Sequence, residues 1–148
     1  MSFSNLGLDA KILQAVREAG YTEPTPIQTA AIPPIVAGHD LIGIAQTGTG
    51  KTAAFTLPIL TKLAARTAES RRGTKVLVIA PTRELVVQIE ENVRAYSKHL
   101  PLTVATVFGG VGEQPQIRAL RAGTDVIIAC PRRLRDLMGQ RCADFLQL

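Results

Sequence analysis

The stretch Ala45-Gln46-Thr47-Gly48-Thr49-Gly50-Lys51-Thr52 decides how this chain is read. A glycine-rich turn running into Lys and Thr suits a strand-to-helix junction, where backbone N–H groups converge on a polyphosphate. Gly48 and Gly50 let the main chain approach an anion with no Cβ in the way. Lys51 is spaced to reach β- and γ-phosphates, and the Thr52 hydroxyl to hold Mg²⁺. The flanks agree: residues 40–45 (DLIGIA) read as a short buried strand and residues 51–65 as a helix. The general pattern carries Gly at its first position, which is Ala45 here. The plainer alternative is a surface turn with a solvated lysine, and the flanks speak against it.

Outward from this loop the pattern is strand and helix in alternation. Strands read at 40–45, 75–80, 103–108 and 125–129, each rich in Val, Ile and Leu. Helices read at 51–65, 83–97, 114–122 and 132–138. Ahead of them, Leu8, Ile12, Ala15 and Ala19 form one stripe of an amphipathic helix ending near Gly20, and a second helix starts at Pro26. Residues 67–74, which include Arg71 and Arg72, read as a solvated surface loop. Such alternation predicts an α/β fold, a parallel sheet flanked by helices, with ligands gathering outside the carboxyl ends of the strands. Pro81-Thr82-Arg83, Phe108-Gly109-Gly110 and Cys130-Pro131-Arg132-Arg133 all follow strands, and so are expected on one rim with the phosphate loop.

Each strand end has a structural and a functional reading. Thr82 is placed to cap the next helix, and a capped N-terminus beside Arg83 also suits a backbone phosphate. Gly109-Gly110 is a flexible turn, or a segment whose N–H groups a sugar-phosphate chain can touch. Pro131 suits a first helical turn, and Arg132, Arg133 and Arg135 form the densest basic cluster. Gln28 closes a capping box with Thr25, or it reads an adenine edge. Both readings stand at this point.

Composition sets wider bounds. The 148 residues allow one domain, and an apolar fraction of 46% is ordinary for a globular protein. A net charge of +5 leans toward a polyanionic partner. No apolar run reaches a membrane span, since Pro58 and Lys62 interrupt the longest candidate, and MSFSNLGLDA does not read as a signal peptide. Cys130 and Cys142 match neither a redox pair nor a zinc spacing, so reduced cysteines and a cytoplasmic location are expected.

Taken together, these residues resemble the N-terminal part of a DEAD-box ATP-dependent RNA helicase. The resemblance rests on Phe3, GYTEPTPIQ at 20–28, AQTGTGKT at 45–52, PTREL at 81–85, the GG pair at 109–110 and a variant of TPGR at 130–133. It implies a RecA-like phosphate-loop NTPase domain that uses ATP and Mg²⁺ and binds RNA through its backbone. In that family Gln28 would read adenine, with Tyr21 and Phe3 supplying aromatic packing. Gln46, Thr47, Gly48, Thr49, Gly50, Lys51 and Thr52 would hold the nucleotide, Lys51 and Thr52 would serve catalysis, and Thr52 would hold the metal. Pro81, Thr82, Arg83, Gly109, Gly110, Pro131, Arg132 and Arg133 would line the RNA. The implied division is a helical region at 1–38 and a partial RecA-like domain at 39–148.

Two departures accompany the resemblance. The TPGR threonine and glycine are Cys130 and Arg132 here. The chain also reaches Leu148 before the Asp-Glu-Ala-Asp strand of the family, while Asp40 and Asp125 stand at the amino ends of their strands. Residues 1–148 are therefore expected to bind nucleotide without useful hydrolysis, as an inactive nucleotide- and RNA-binding module of a parent enzyme. Another phosphate-loop enzyme, a kinase or GTPase, is the competing class, although no Asn-Lys-x-Asp guanine-reading sequence occurs.

Overall fold

The structure is a computed structural model that describes residues 2–66, 73–143 and 145–148. Residues 67–72 of the expected surface loop, with Arg71 and Arg72, lie outside the described residues. The chain forms two compact units, Met1–Thr67 with Asn92–Pro101, and Ala68–Glu91 with Leu102–Leu148.

The first unit is helical. A 3-10 turn at Phe3–Asn5 precedes α1 (Ala10–Glu18), α2 (Pro26–Val36) and α3 (Lys51–Ala64). Asp9 caps α1, its carboxylate accepting from Lys11 N–H at 2.8 Å, while its own N–H donates to Thr61 Oγ1 of α3 at 3.2 Å. Of the expected stripe, Leu8, Ile12 and Ala15 are buried, whereas Ala19 at the end of α1 is exposed and Val16 is buried in its stead, together with Ile32 of α2 and Leu57, Leu60 and Leu63 of α3. Pro58 lies inside α3 without ending it.

The second unit holds the sheet. Its strands are β1 (Val76–Ile79), β2 (Val104–Val107) and β3 (Val126–Ala129), all parallel, in the order β1-β3-β2. The register sets Leu77 and Ala105 on either side of Ile127, and Ile79 and Val107 on either side of Ala129. Central β3 is buried along its whole length, which explains its unbroken apolar sequence. Ile127, Ala129 and Val107 form a core with Ile117 and Leu120 of α5 (Gln114–Ala122) and with Leu134 and Leu137 of α6 (Pro131–Gly139). Val126 and Ile128 point to the other face and are buried too, as are Val86 and Ile89 of α4 (Arg83–Tyr96).

Asp125 stitches the amino ends of these strands. Its carboxylate accepts from the N–H and hydroxyl of Thr103, each at 3.0 Å, and from Lys75 Nζ at 3.4 Å. The expected amino-end placement of Asp125 is thus observed, in a structural role.

One expected element is absent. Residues 40–45 form no strand among the described residues, and Ile42 and Ile44 are 92% and 90% exposed. The apolar run has strand propensity, but a strand also needs a partner ladder, and no described segment supplies one. The sheet therefore has three strands, and the expected four-ended rim reduces to three ends.

Candidate functional site

The first unit carries the phosphate loop, which turns at Gly48 and Gly50 with φ of 82° and 84°. Both angles lie in the left-handed region open to glycine, so these two positions are set by backbone geometry before any ligand is considered. Gly50 is the N-cap of α3, and Lys51 and Thr52 open the helix. Thr49 Oγ1 donates to the Gln46 carbonyl at 2.5 Å, and Lys51 Nζ donates to the Ala45 carbonyl at 2.7 Å. The Lys51 ammonium thus folds back over its own loop, where a phosphate oxygen would compete for it. Thr52 is partly buried, and no bond to its hydroxyl exists among the described residues. That free hydroxyl at a helix start fits an Mg²⁺ ligand. Gln46, Thr47 and Gly48 are exposed.

Gln28 is buried at 4% exposure and serves two neighbours. Its amide oxygen accepts from Thr25 N–H at 3.0 Å, closing the capping box of α2. Its amide nitrogen donates to the Gly50 carbonyl at 3.1 Å. A methyl group at Gly50 would collide with that amide and meet Thr25 Oγ1 at 3.2 Å. The capping reading of Gln28 is therefore observed, and the same side chain also reaches the phosphate loop.

The two aromatic candidates are placed differently from one another. Phe3 is 5% exposed and offers a nucleotide no open face in this conformation. Tyr21 is 49% exposed, its ring centroid 6.4 Å from that of Tyr96 at an interplanar angle of 59°. Burial, and then the neighbouring Tyr21, push the Tyr96 phenol well above its usual range. Beside them Glu18 pairs with Lys98 and His99, and these contacts hold its carboxyl at about 2.

The second unit carries the strand ends. Pro81, Thr82 and Arg83 follow β1, Gly109 and Gly110 follow β2, and Pro131, Arg132 and Arg133 follow β3. With all three strands parallel, these residues share the carboxyl-end rim of the sheet. Thr82 caps α4, its Oγ1 accepting from Leu85 N–H at 3.2 Å. Cys130 occupies the N-cap of α6 but makes no side-chain cap bond, as expected of a thiol replacing a hydroxyl. The Arg83 guanidinium lies over the Phe108 ring, 4.9 Å from its centroid. Arg133 turns inward and donates from both Nη atoms to the Val111 carbonyl at 3.2 Å, and from Nη1 to Gln116 Oε1 at 3.3 Å. Arg132 and Arg135 have no such partner among the described residues, and with Pro131 and Asp136 they line an open concavity of about 540 Å³. Gln116 had not been singled out, because a lone Gln in an amphipathic helix gives no signal of the carbonyl it will meet.

Comparison with known proteins adds to this geometry. A family model described as DEAD/DEAH box helicase matches residues 25–148. The chain is 42% identical over 148 residues to an ATP-dependent RNA helicase DeaD of Klebsiella pneumoniae, covering 99% of this chain and 22% of that protein. It is 44% identical over 138 residues to a probable ATP-dependent RNA helicase, DDX46, of Homo sapiens, covering 93% of this chain and 13% of that protein. The chain thus spans less than a quarter of the length of these curated relatives. Among solved structures, the RNA helicase Prp28 from Chaetomium thermophilum bound to ADP superposes with a TM-score of 0.89 at 44% identity, covering 99% of this chain and 36% of that one.

Proposed function

This chain belongs to the DEAD/DEAH box helicase family, and from that premise we propose that it is the ATP-binding and RNA-contacting portion of an ATP-dependent RNA helicase. The observation that carries the proposal is the phosphate loop itself. Two left-handed glycines, a lysine at the helix start and a free Thr52 hydroxyl stand together in one unit. The likeness to an ADP-bound helicase structure supports the same reading.

In this reading the loop amides and the N-terminus of α3 cradle the β- and γ-phosphates. Lys51 leaves the Ala45 carbonyl and neutralises charge on them. The Thr52 hydroxyl holds Mg²⁺, which when bound would neutralise phosphate charge. Gln28 anchors the loop through Gly50, with the exposed Tyr21 ring bounding the base side. The chain would bind RNA without reading bases, because the rim offers a capped helix start at Thr82, the Arg83 guanidinium, two bare glycines, Pro131 and Arg132. The remaining division follows the family, with a helical region at 1–38 and RecA-like sequence from 39. Two free cysteines suit a cytoplasmic setting. Among the described residues no helix is long and apolar enough to cross a membrane.

The test is calorimetric titration of ADP and ATP into the chain and into Lys51→Ala. A charge-assisted contact is worth about 1.5–3 kcal/mol, so binding should weaken by more than about tenfold while the melting temperature stays near wild type. Unchanged affinity in a folded Lys51→Ala protein would reject the assignment. Oligonucleotides of different base composition should bind alike at matched salt, and a strong base preference would reject the backbone reading.

A further inference from the structure

Gly109 and Gly110 have little steric restraint of their own. A Cβ on Gly109 would meet nothing within 4 Å, and one on Gly110 would approach Arg83 Nη1 at 3.6 Å. Such a segment is costly to order at the moment of binding, because glycine loses more backbone freedom than any other residue. Yet the carbonyls on both sides of it are held. Gln116, 7% exposed in the first turn of α5, donates from Nε2 to the Phe108 carbonyl at 3.0 Å. The Val111 carbonyl takes both Nη atoms of Arg133. A fourth bond, from Arg133 Nη1 to Gln116 Oε1 at 3.3 Å, joins the two anchors. One buried amide and one guanidinium therefore clamp the ends of the glycine pair.

We infer that Gln116 is a positioning residue for the Gly109–Gly110 backbone, and that Arg133 works with it inside the protein instead of contacting an RNA phosphate. The inference rests on the proposed RNA-binding rim. It separates the basic cluster of α6 into two roles. Arg133 is committed to the loop, whereas Arg132 and Arg135 line the open concavity with no partner among the described residues and are the cations free for phosphate. The arrangement orders the glycine amides before RNA arrives, which reduces the entropy lost on binding.

The experiment uses the full chain with Gln116→Ala and Arg133→Gln. Backbone ¹⁵N order parameters at Gly109 and Gly110 are measured without RNA, and oligouridylate affinity is measured across a salt series. Both variants should loosen the pair, taking order parameters from the rigid range near ~0.85 toward ~0.6 or below. Both should weaken oligouridylate binding several-fold while leaving the slope of log affinity against log salt unchanged. A phosphate contact by Arg133 would instead flatten that slope by about 0.7 in Arg133→Gln, which would overturn its inward role. Unaltered order parameters in a folded Gln116→Ala protein would overturn the clamp. Should Gln116→Ala fail to fold, Gln116→Glu keeps the acceptor for Arg133 and removes the donor to Phe108, and the same two readouts decide. A wild-type chain that does not bind oligouridylate would reject the RNA reading, while the order parameters would still decide the clamp.

Discussion

Gln28 and Gly50 are joined by a hydrogen bond of 3.1 Å from the side-chain amide of one to the carbonyl of the other, while the Gln28 oxygen caps α2 through Thr25 N–H. One side chain thus ties the start of a helix to the loop expected to hold phosphate. The two functions separate by chemistry, because the cap needs an acceptor and the loop contact needs a donor.

Gln28→Glu keeps the acceptor and loses the donor, so the α2 cap should survive while the loop anchor fails. Thermal stability should fall in both variants, in Gln28→Ala by a capping interaction worth about 1 kcal/mol and in Gln28→Glu because a buried carboxylate then faces the Gly50 carbonyl oxygen. Both variants should bind ATP more weakly, by a few-fold up to about tenfold, since a neutral hydrogen bond such as that to Gly50 is worth about 0.5–1.5 kcal/mol. Paired melting curves and nucleotide titrations check this, and full ATP affinity in Gln28→Glu would show that the loop does not depend on the amide.

The two loop glycines make a matched comparison. Gly48 and Gly50 have nearly the same φ, 82° and 84°, so alanine at either should incur about 1–2 kcal/mol for a left-handed L-residue. Their surroundings differ. A Cβ on Gly48 meets nothing within 4 Å, whereas one on Gly50 collides with the Gln28 amide. Gly50→Ala should therefore destabilise the protein and impair ATP binding clearly more than Gly48→Ala. Equal denaturant midpoints for the two variants would count against the observed Gln28 position.

Much of this was legible in the sequence where periodicity and local chemistry act alone. The observed α5 matches its expected span, and the other helices and the three paired strands match within a few residues, because apolar spacing and caps such as Thr82 are local signals. Residues 40–45 were not legible, since Ile42 and Ile44 announce strand propensity but not the presence of a neighbouring strand. Gln28 was legible only as two competing roles. Its capping bond lies three residues away in sequence, but Gly50 lies 22 away, and contact at that range has no local signature. Gln116 was missed and Arg133 was read as facing outward for the same reason. Gln116 meets the Phe108 carbonyl eight residues back across a turn, and Arg133, which follows β3, meets Val111 and Gln116, which follow β2, only because β2 and β3 are paired.

The caps of α4 and α6 predict a stabilising substitution. Thr82 makes its bond to Leu85 N–H, while Cys130 has suitable N-cap angles, φ −81° and ψ 139°, but no side-chain cap bond. Cys130→Thr should raise stability by about 0.5–1 kcal/mol, and Thr82→Ala should lower it by about 1 kcal/mol. Denaturant unfolding of both variants measures the pair. A Cys130→Thr protein no more stable than wild type would mean that the start of α6 cannot use a hydroxyl.

The last prediction concerns acid. Glu18 ends α1 and accepts from Lys98 Nζ, from His99 Nε2 at 2.9 Å and from Gln14 Nε2 at 3.1 Å. These contacts, the Lys98 bond foremost and then His99, lower its pKa from 4.5 to about 2. A carboxyl depressed in the folded state stabilises the protein fully above its unfolded value and loses that contribution as pH falls through the folded value. Wild type should therefore be more stable than Glu18→Gln near neutral pH, with the gap closing between about pH 4.5 and pH 2 and absent below. The cluster is exposed, so added salt should narrow the gap at every pH. Comparing the melting temperatures of the two proteins, instead of following wild type alone, removes the contribution of the other carboxylates. A gap that persisted unchanged at pH 2 would show that Glu18 stabilises the end of α1 by packing and not by its charge.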